Sequence, residues 1–247
     1  GTHNYEADSR GQLYRFLNKH FDLDTPEADL PFADELLSES QLNVGLPEKN
    51  ATLVSLANDA RVELRRPGIP KRRRDKWMVK TREQLKEVIQ LPAFKVTDQL
   101  VSSGKGMHQH RLDLSQTWTL PVTEFEGLNE PVLMLSDGGR NSRIGHVDPL
   151  LREGHRVVIA DVFGTGESKT PAGMQMVLAG VGERPLGILV GQLLALSRWV
   201  GGRKRIRVSA NGLVTSFAVL CAAALEPKHF SHLQLNGTLD SLTRLID

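Results

Sequence analysis

Apolar and polar positions divide the chain into three stretches. In residues 1–23, Leu13, Phe16, Leu17 and His20 recur at helical spacing, which gives a helix one apolar face. Ser9 and Gln12 have the spacing of a capping box and predict where that helix starts. A lone helix needs about 12–15 residues to be even marginal in water, so the apolar face calls for a packing partner. Residues 24–95 are punctuated by Pro26, Pro31, Pro47, Pro67, Pro70 and Pro92. Helices are expected over 51–64 and 80–91. The stretch holds too few apolar positions for a large core and reads as a helical connecting arm packed on its neighbours. Residues 96–247 change character. Alternating strands are expected over 96–103, 108–114 and 119–126. After Gly127, strands at 132–135, 157–160, 206–208 and 233–235 alternate with helices at 145–153, 186–200 and 213–225. This alternation predicts an α/β fold: a doubly wound, mostly parallel sheet with an antiparallel start, preceded by the helical arm.

Composition adds little to that picture. With 40% hydrophobic and 24% charged residues, the chain has the makeup of an ordinary globular protein. A net charge of +2 creates no general demand for a polyanion. Cys221 is the one cysteine, so an internal disulfide is excluded; its apolar surroundings predict a buried, inert thiol. No apolar run approaches the ~20 residues of a membrane span. No signal peptide is present, but the chain begins at Gly1, so a targeting segment upstream is compatible with it. Lys71, Arg72, Arg73 and Arg74 have no interleaved aromatics and read as a solvated linker. Neither nucleic acid nor membrane is an expected partner.

Three loops follow predicted strands and carry the candidate chemistry. Leu135-Ser136-Asp137-Gly138-Gly139 sits between a strand and a helix, where glycines let amides face a crevice. It reads equally as an oxyanion-binding loop and as a tight turn. Asp161-Val162-Phe163-Gly164-Thr165-Gly166-Glu167-Ser168 ends a strand. A dinucleotide fingerprint would need its third glycine where Lys169 stands, so that reading is weak. Val208-Ser209-Ala210-Asn211-Gly212-Leu213 lies at the strand-to-helix junction of a nucleophile elbow, G-x-S-x-G in active enzymes. That alignment puts Asn211 at the nucleophile. Asparagine tolerates positive φ, but a carboxamide has no ionisable proton for a histidine to remove. Ser209 lies two residues back, in the strand, and is out of register. His108 and His110 share a strand face, but a zinc site needs a third ligand, and the solvated face is the stronger reading. No metal or cofactor is expected.

Segments 131–139, 156–168, 182–200 and 204–227 together resemble the α/β-hydrolase superfamily. More narrowly, they are similar to bacterial acetylxylan esterase-like proteins, some of which carry two hydrolase domains in tandem. The segment after Asp161 resembles that superfamily's D-x-x-G-x-G-x-S loop, which shapes the wall of the site. Gly1-Thr2-His3-Asn4-Tyr5 and the helix after it resemble the histidine loop and closing helix of a hydrolase domain. The resemblance implies a chain cut from a longer protein. Residues 1–23 would close an upstream domain, 24–95 would be the arm, and 96–247 a second, C-terminally incomplete domain. It implies that His3 is the base of the upstream site and that the second domain lacks catalysis. Acetylated polysaccharide or another ester is the implied substrate, and a periplasmic or secreted location is favoured by resemblance alone. Two alternatives stay open: a non-catalytic interaction or scaffold module, and a fragment of a prolyl-oligopeptidase-type peptidase.

Overall fold

A computed structural model describes residues 5–31, 33–63, 68–239 and 241. The chain forms two compact units, 1–59 and 60–247.

The first unit contains helix α1 (Ala7–Phe21) and a short helix α2 (Glu39–Leu42). Its clearest tertiary tie is polar. Arg10 pairs with Asp29 at 2.5 Å, and the Tyr14 hydroxyl donates to the same carboxylate at 2.8 Å. These bonds hold the Asp29 carboxyl at about 2, well below the usual carboxylate range. The helix starts earlier than the capping box predicts: Glu6 is the N-cap, Ser9 lies inside the first turns, and Gln12 donates to Asp8. Asp8 in the first turn suits the positive end of the helix dipole, so the local Ser9 signal is overridden. Helix α3 (Leu53–Glu63) follows and buries none of its residues.

In the second unit, helix α4 (Arg74–Ile89) leads into β1 (Val96–Gly104), β2 (Met107–Leu114) and β3 (Trp118–Phe125). Tight turns of two and three residues join these strands, with positive φ at Lys105 and Gly106 in the first and at Ser115 and Gln116 in the second. Such turns match strand twist and permit only antiparallel pairing. Strand β4 (Asn129–Ser136), α5 (Asp148–Arg152), β5 (His155–Ala160), α6 (Met174–Gly180), α7 (Pro185–Gly201), β6 (Ile206–Asn211), α8 (Leu213–Leu225) and β7 (Phe230–Asn236) complete the unit. The seven strands form one sheet in the order β1-β2-β3-β5-β4-β6-β7.

The sheet is mixed and not mostly parallel. The three pairings β1–β2, β2–β3 and β3–β5 are antiparallel, against three parallel ones, β5–β4, β4–β6 and β6–β7. The antiparallel meander is as large a part of the sheet as the parallel crossovers, because β3 continues the ladder directly onto β5.

Strand alternation divides the core. Leu133, Leu135, Val208 and Ala210 face one way and join the main cluster with α7 and α8. Val132, Met134, Val157 and Ile159 face the other and pack with α5 and with Val147, which links α5 to the preceding 3-10 segment Arg140–His146. Helix α7 is buried along most of its length, and α4 packs against both α7 and α8. The α4–α7 approach depends on two glycines. A Cβ on Gly187 would sit 1.8 Å from the Ile89 carbonyl, and one on Gly191 would sit 2.8 Å from the Pro92 carbonyl. No single described helix is long and apolar enough to cross a membrane.

Backbone cannot yield as a flexible side chain does, so Gly187→Ala is expected to force α4 off α7. Overpacking of this kind costs about 1–3 kcal/mol, which urea denaturation of the variant would read as a lowered midpoint.

Candidate functional site

Strands β4, β6 and β7 end side by side at the carboxyl edge of the sheet, with Ser136, Asn211 and Asn236 in register. The ladder runs one residue further on each side. The Asp137 amide donates to the Asn211 carbonyl at 3.0 Å, and the Gly212 amide donates to the Asn236 carbonyl at 2.9 Å. Open α/β sheets bind ligands in the crevice at this edge, so it is the place to look for a site.

At the turn from β6 into α8, Asn211 keeps the extended backbone of the strand and its side chain is exposed. The left-handed residue is the next one, Gly212, at φ 113° and ψ 162°. Only glycine adopts that conformation readily. The space above it is filled. A Cβ on Gly212 would lie 2.3 Å from Cγ of Asp137. The Asp137 carboxylate accepts from the Val214 amide at 3.1 Å and from the Thr215 amide at 2.8 Å. It thus caps α8 across 77 residues of sequence, supplying the anion that a helix N-terminus favours.

The loop over β4 binds itself. Gly138 N–H donates to the Ser136 hydroxyl at 3.1 Å and Gly139 N–H to the Ser136 carbonyl at 2.9 Å. Arg140 N–H donates to Asp161 at 2.6 Å. Asp161 is buried and also accepts from the Glu167 amide at 3.1 Å, with the Arg140 guanidinium 3.6 Å away. It therefore ties the loop after β5 to the loop after β4. A Cβ on Gly166 would lie 2.1 Å from Asp161 Oδ1, so the carboxylate needs a bare backbone beneath it. Gln192 on α7 accepts from the Phe163 amide at 2.8 Å and fixes the start of the same loop.

Above these loops is a crevice of about 250 Å³. Phe163, Pro185, Leu186, Leu189 and Val214 make its wall apolar, and Asp137 supplies the carboxylate at its edge. Asp137 is therefore brought to the crevice, while Gly138, Gly139, Asn211 and Gly212 lie next to it at the adjoining strand ends without lining the crevice. Their amides point to internal acceptors. His3 lies outside the described residues. Ser209, also raised by the sequence, is buried on the opposite side of β6, where it accepts from Arg143 at 3.2 Å.

The histidine pair on β2 stands apart from the crevice, among carboxylates. His108 meets Glu126 at 2.7 Å, and His110 meets Asp98 at 2.8 Å. Arg156 holds Glu124 through two 2.8 Å bonds on the same face. Burial is the largest single influence and pushes the Glu124 carboxyl up, but the Arg156 hydrogen bonds together with the charges of Arg156, His110 and His108 bring the net shift downward. Sequence reasoning missed the capping role of Asp137 and the buried Arg143 altogether. An Asp at a strand end is a weak local sign of a cap. Arg143 sits in a polar stretch and gives no sign of burial.

No protein-family model matches the chain, and no curated protein matches it either. Among solved structures, the chain is similar to a protein from Bacteroides fragilis assigned as an acetyl xylan esterase. The identity is 15% and the TM-score 0.55, over 76% of this chain and 62% of that one. It is also similar to acetyl xylan esterase 1 from Thermoanaerobacterium sp., with 13% identity and TM-score 0.45, over 63% of this chain and 56% of that one. The chain thus spans less than two thirds of the length of either structure. The first likeness, with the mixed seven-stranded sheet and its parallel crossovers, shows that the fold is of the α/β-hydrolase type.

Proposed function

We propose that this chain is part of a carboxylic-ester hydrolase, and that its α/β-hydrolase-type domain is a non-catalytic partner within it. The observation that carries the second half is the Asp137 carboxylate, seated on Gly212 and on the first amides of α8. Acyl transfer at such a turn needs a nucleophile on the turn and free amides to meet the oxyanion. Asn211 offers a carboxamide and Gly212 offers no side chain. The amides of Asp137, Gly138, Gly139 and Gly212 each have a protein acceptor. A developing oxyanion would also meet a fixed negative charge.

Catalysis is then assigned to another domain of the parent protein, with His3 as its base and acetylated polysaccharide or another ester as the substrate. Support for this assignment is the sequence resemblance of residues 1–21. The domain described here would shape the cleft or hold part of the substrate. The apolar crevice beside Asp137 also favours a second reading, an interaction module with no enzyme in the parent. The two separate on one experiment: the parent protein hydrolyses a chromogenic acetyl ester and loses that activity on His3→Ala, or it does not.

For the 247-residue chain itself, no turnover of a chromogenic acetyl ester above the uncatalysed rate is expected. Asn211→Ser and Gly212→Ser should gain none. Turnover that vanishes on Ser209→Ala would sink the non-catalytic assignment. The cap makes a separate prediction. Asp137→Ala should cost about 1–2 kcal/mol of stability, the usual size of a lost N-terminal cap. Gly212→Ala should cost less in an Asp137→Gly background than in the native sequence. The coupling expected for groups in direct contact is about 0.5–3 kcal/mol, and a double-mutant cycle by urea denaturation measures it.

A further inference from the structure

Strand alternation leaves a second cavity on the face of the sheet away from α7 and α8. Met134, Ser209 and Gln234 form one row across β4, β6 and β7, with Val132 and Arg207 in the next. Arg143 reaches this face from the 3-10 segment that follows the β4 loop. Together with His146 they line a cavity of about 240 Å³.

Arg143 is 8% exposed, and one of its nitrogens donates to the Ser209 hydroxyl at 3.2 Å. Its Nε is buried with no hydrogen-bond partner. No carboxylate among the described residues forms an ion pair with it. The Nε of Arg207 is likewise buried and without a hydrogen bond, its nearest carboxylate being Glu130 at 3.9 Å. A lysine or histidine in this position could shed its proton, but a guanidinium cannot. A buried charge is costly unless something of opposite sign meets it. The buried Arg143 guanidinium therefore calls for an anion in the cavity it lines; Arg207, more exposed and paired with Glu130, lines the same cavity, and planar N–H forks suit an oxyanion. Val132, Met134 and Leu150 make the remaining wall apolar, which suits a short hydrocarbon body behind the charged head.

We propose that the cavity between β4, β6 and the 3-10 segment binds a small organic oxyanion, a carboxylate or phosphate head on a short apolar group, held by Arg143 and Arg207. The site lies on the opposite face of the sheet from the Asp137 crevice and is independent of any ester hydrolysis.

Thermal unfolding of the full chain in sodium butyrate and in inorganic phosphate tests it, with sodium chloride at equal ionic strength as the reference. Butyrate presents head and body, and phosphate the head alone. A ligand that binds only the folded state raises Tm with concentration. The expected result is a saturable rise of about 2–4 °C with at least one probe, the size that one kcal/mol gives in a chain of this length. Arg143→Met should remove the rise and should be no less stable than the native protein in chloride, since it removes a buried unpaired charge. Arg207→Gln changes a more exposed side chain and should weaken binding at least fivefold by titration calorimetry. No rise with either probe overturns the proposal, as does a rise that survives in Arg143→Met. If Arg143→Met does not fold, unchanged affinity in Arg207→Gln overturns it.

Discussion

Backbone amides at the carboxyl edge of the sheet need acceptors, and two carboxylates supply them. Strands end there and helices begin there, so donors without secondary-structure partners accumulate. An unpaired buried amide costs about 1–3 kcal/mol. Asp137 meets the first amides of α8, and Asp161 meets those of Arg140 and Glu167. The glycines of the region follow from these two contacts. Gly212 is bare because Asp137 lies on it, and Gly139 and Gly166 are bare because Asp161 and the crossing backbone lie on them. The crevice, its apolar wall and its closed floor are all arranged around this pair.

Much of the fold is legible in the sequence wherever burial imposes a period. The strands after Gly127 and helices α7 and α8 have apolar residues spaced by their packing, and they appear where expected. Helix α6 has no buried residue, so nothing in its pattern announces it. The capping box at Ser9 is a local signal that a longer helix overrides. The share of antiparallel pairing was not legible, because β3 and β5 meet through contacts some 35 residues apart that no local pattern specifies. The candidate site divides the same way. That Asp137, Gly138, Gly139 and Asn211 converge follows from their places at adjoining strand ends. That Asp137 caps α8, and that the positive φ falls on Gly212, are facts of three dimensions.

Strand β6 serves two environments at once. Ile206, Val208 and Ala210 are closed into the main core, while Arg207 and Ser209 face the opposite side with Met134 and Gln234. Period-two alternation makes this unavoidable, so a strand that ends at the crevice also furnishes the basic cavity behind it. The polar cluster of His108, His110, Glu124 and Arg156 is a further case in which a sheet face of this unit carries paired charges in place of apolar side chains.

The turn at Gly212 also sets a direction for sequence change. A side chain placed there first collides with Asp137, and a change at Asp137 first leaves α8 without its cap. Either single step passes through a weakened protein, and only the pair together avoids the collision. With stability commonly only 5–15 kcal/mol, such valleys are hard to cross one residue at a time. The contact between one carboxylate and one glycine therefore acts as a ratchet, in which each residue holds the other in place.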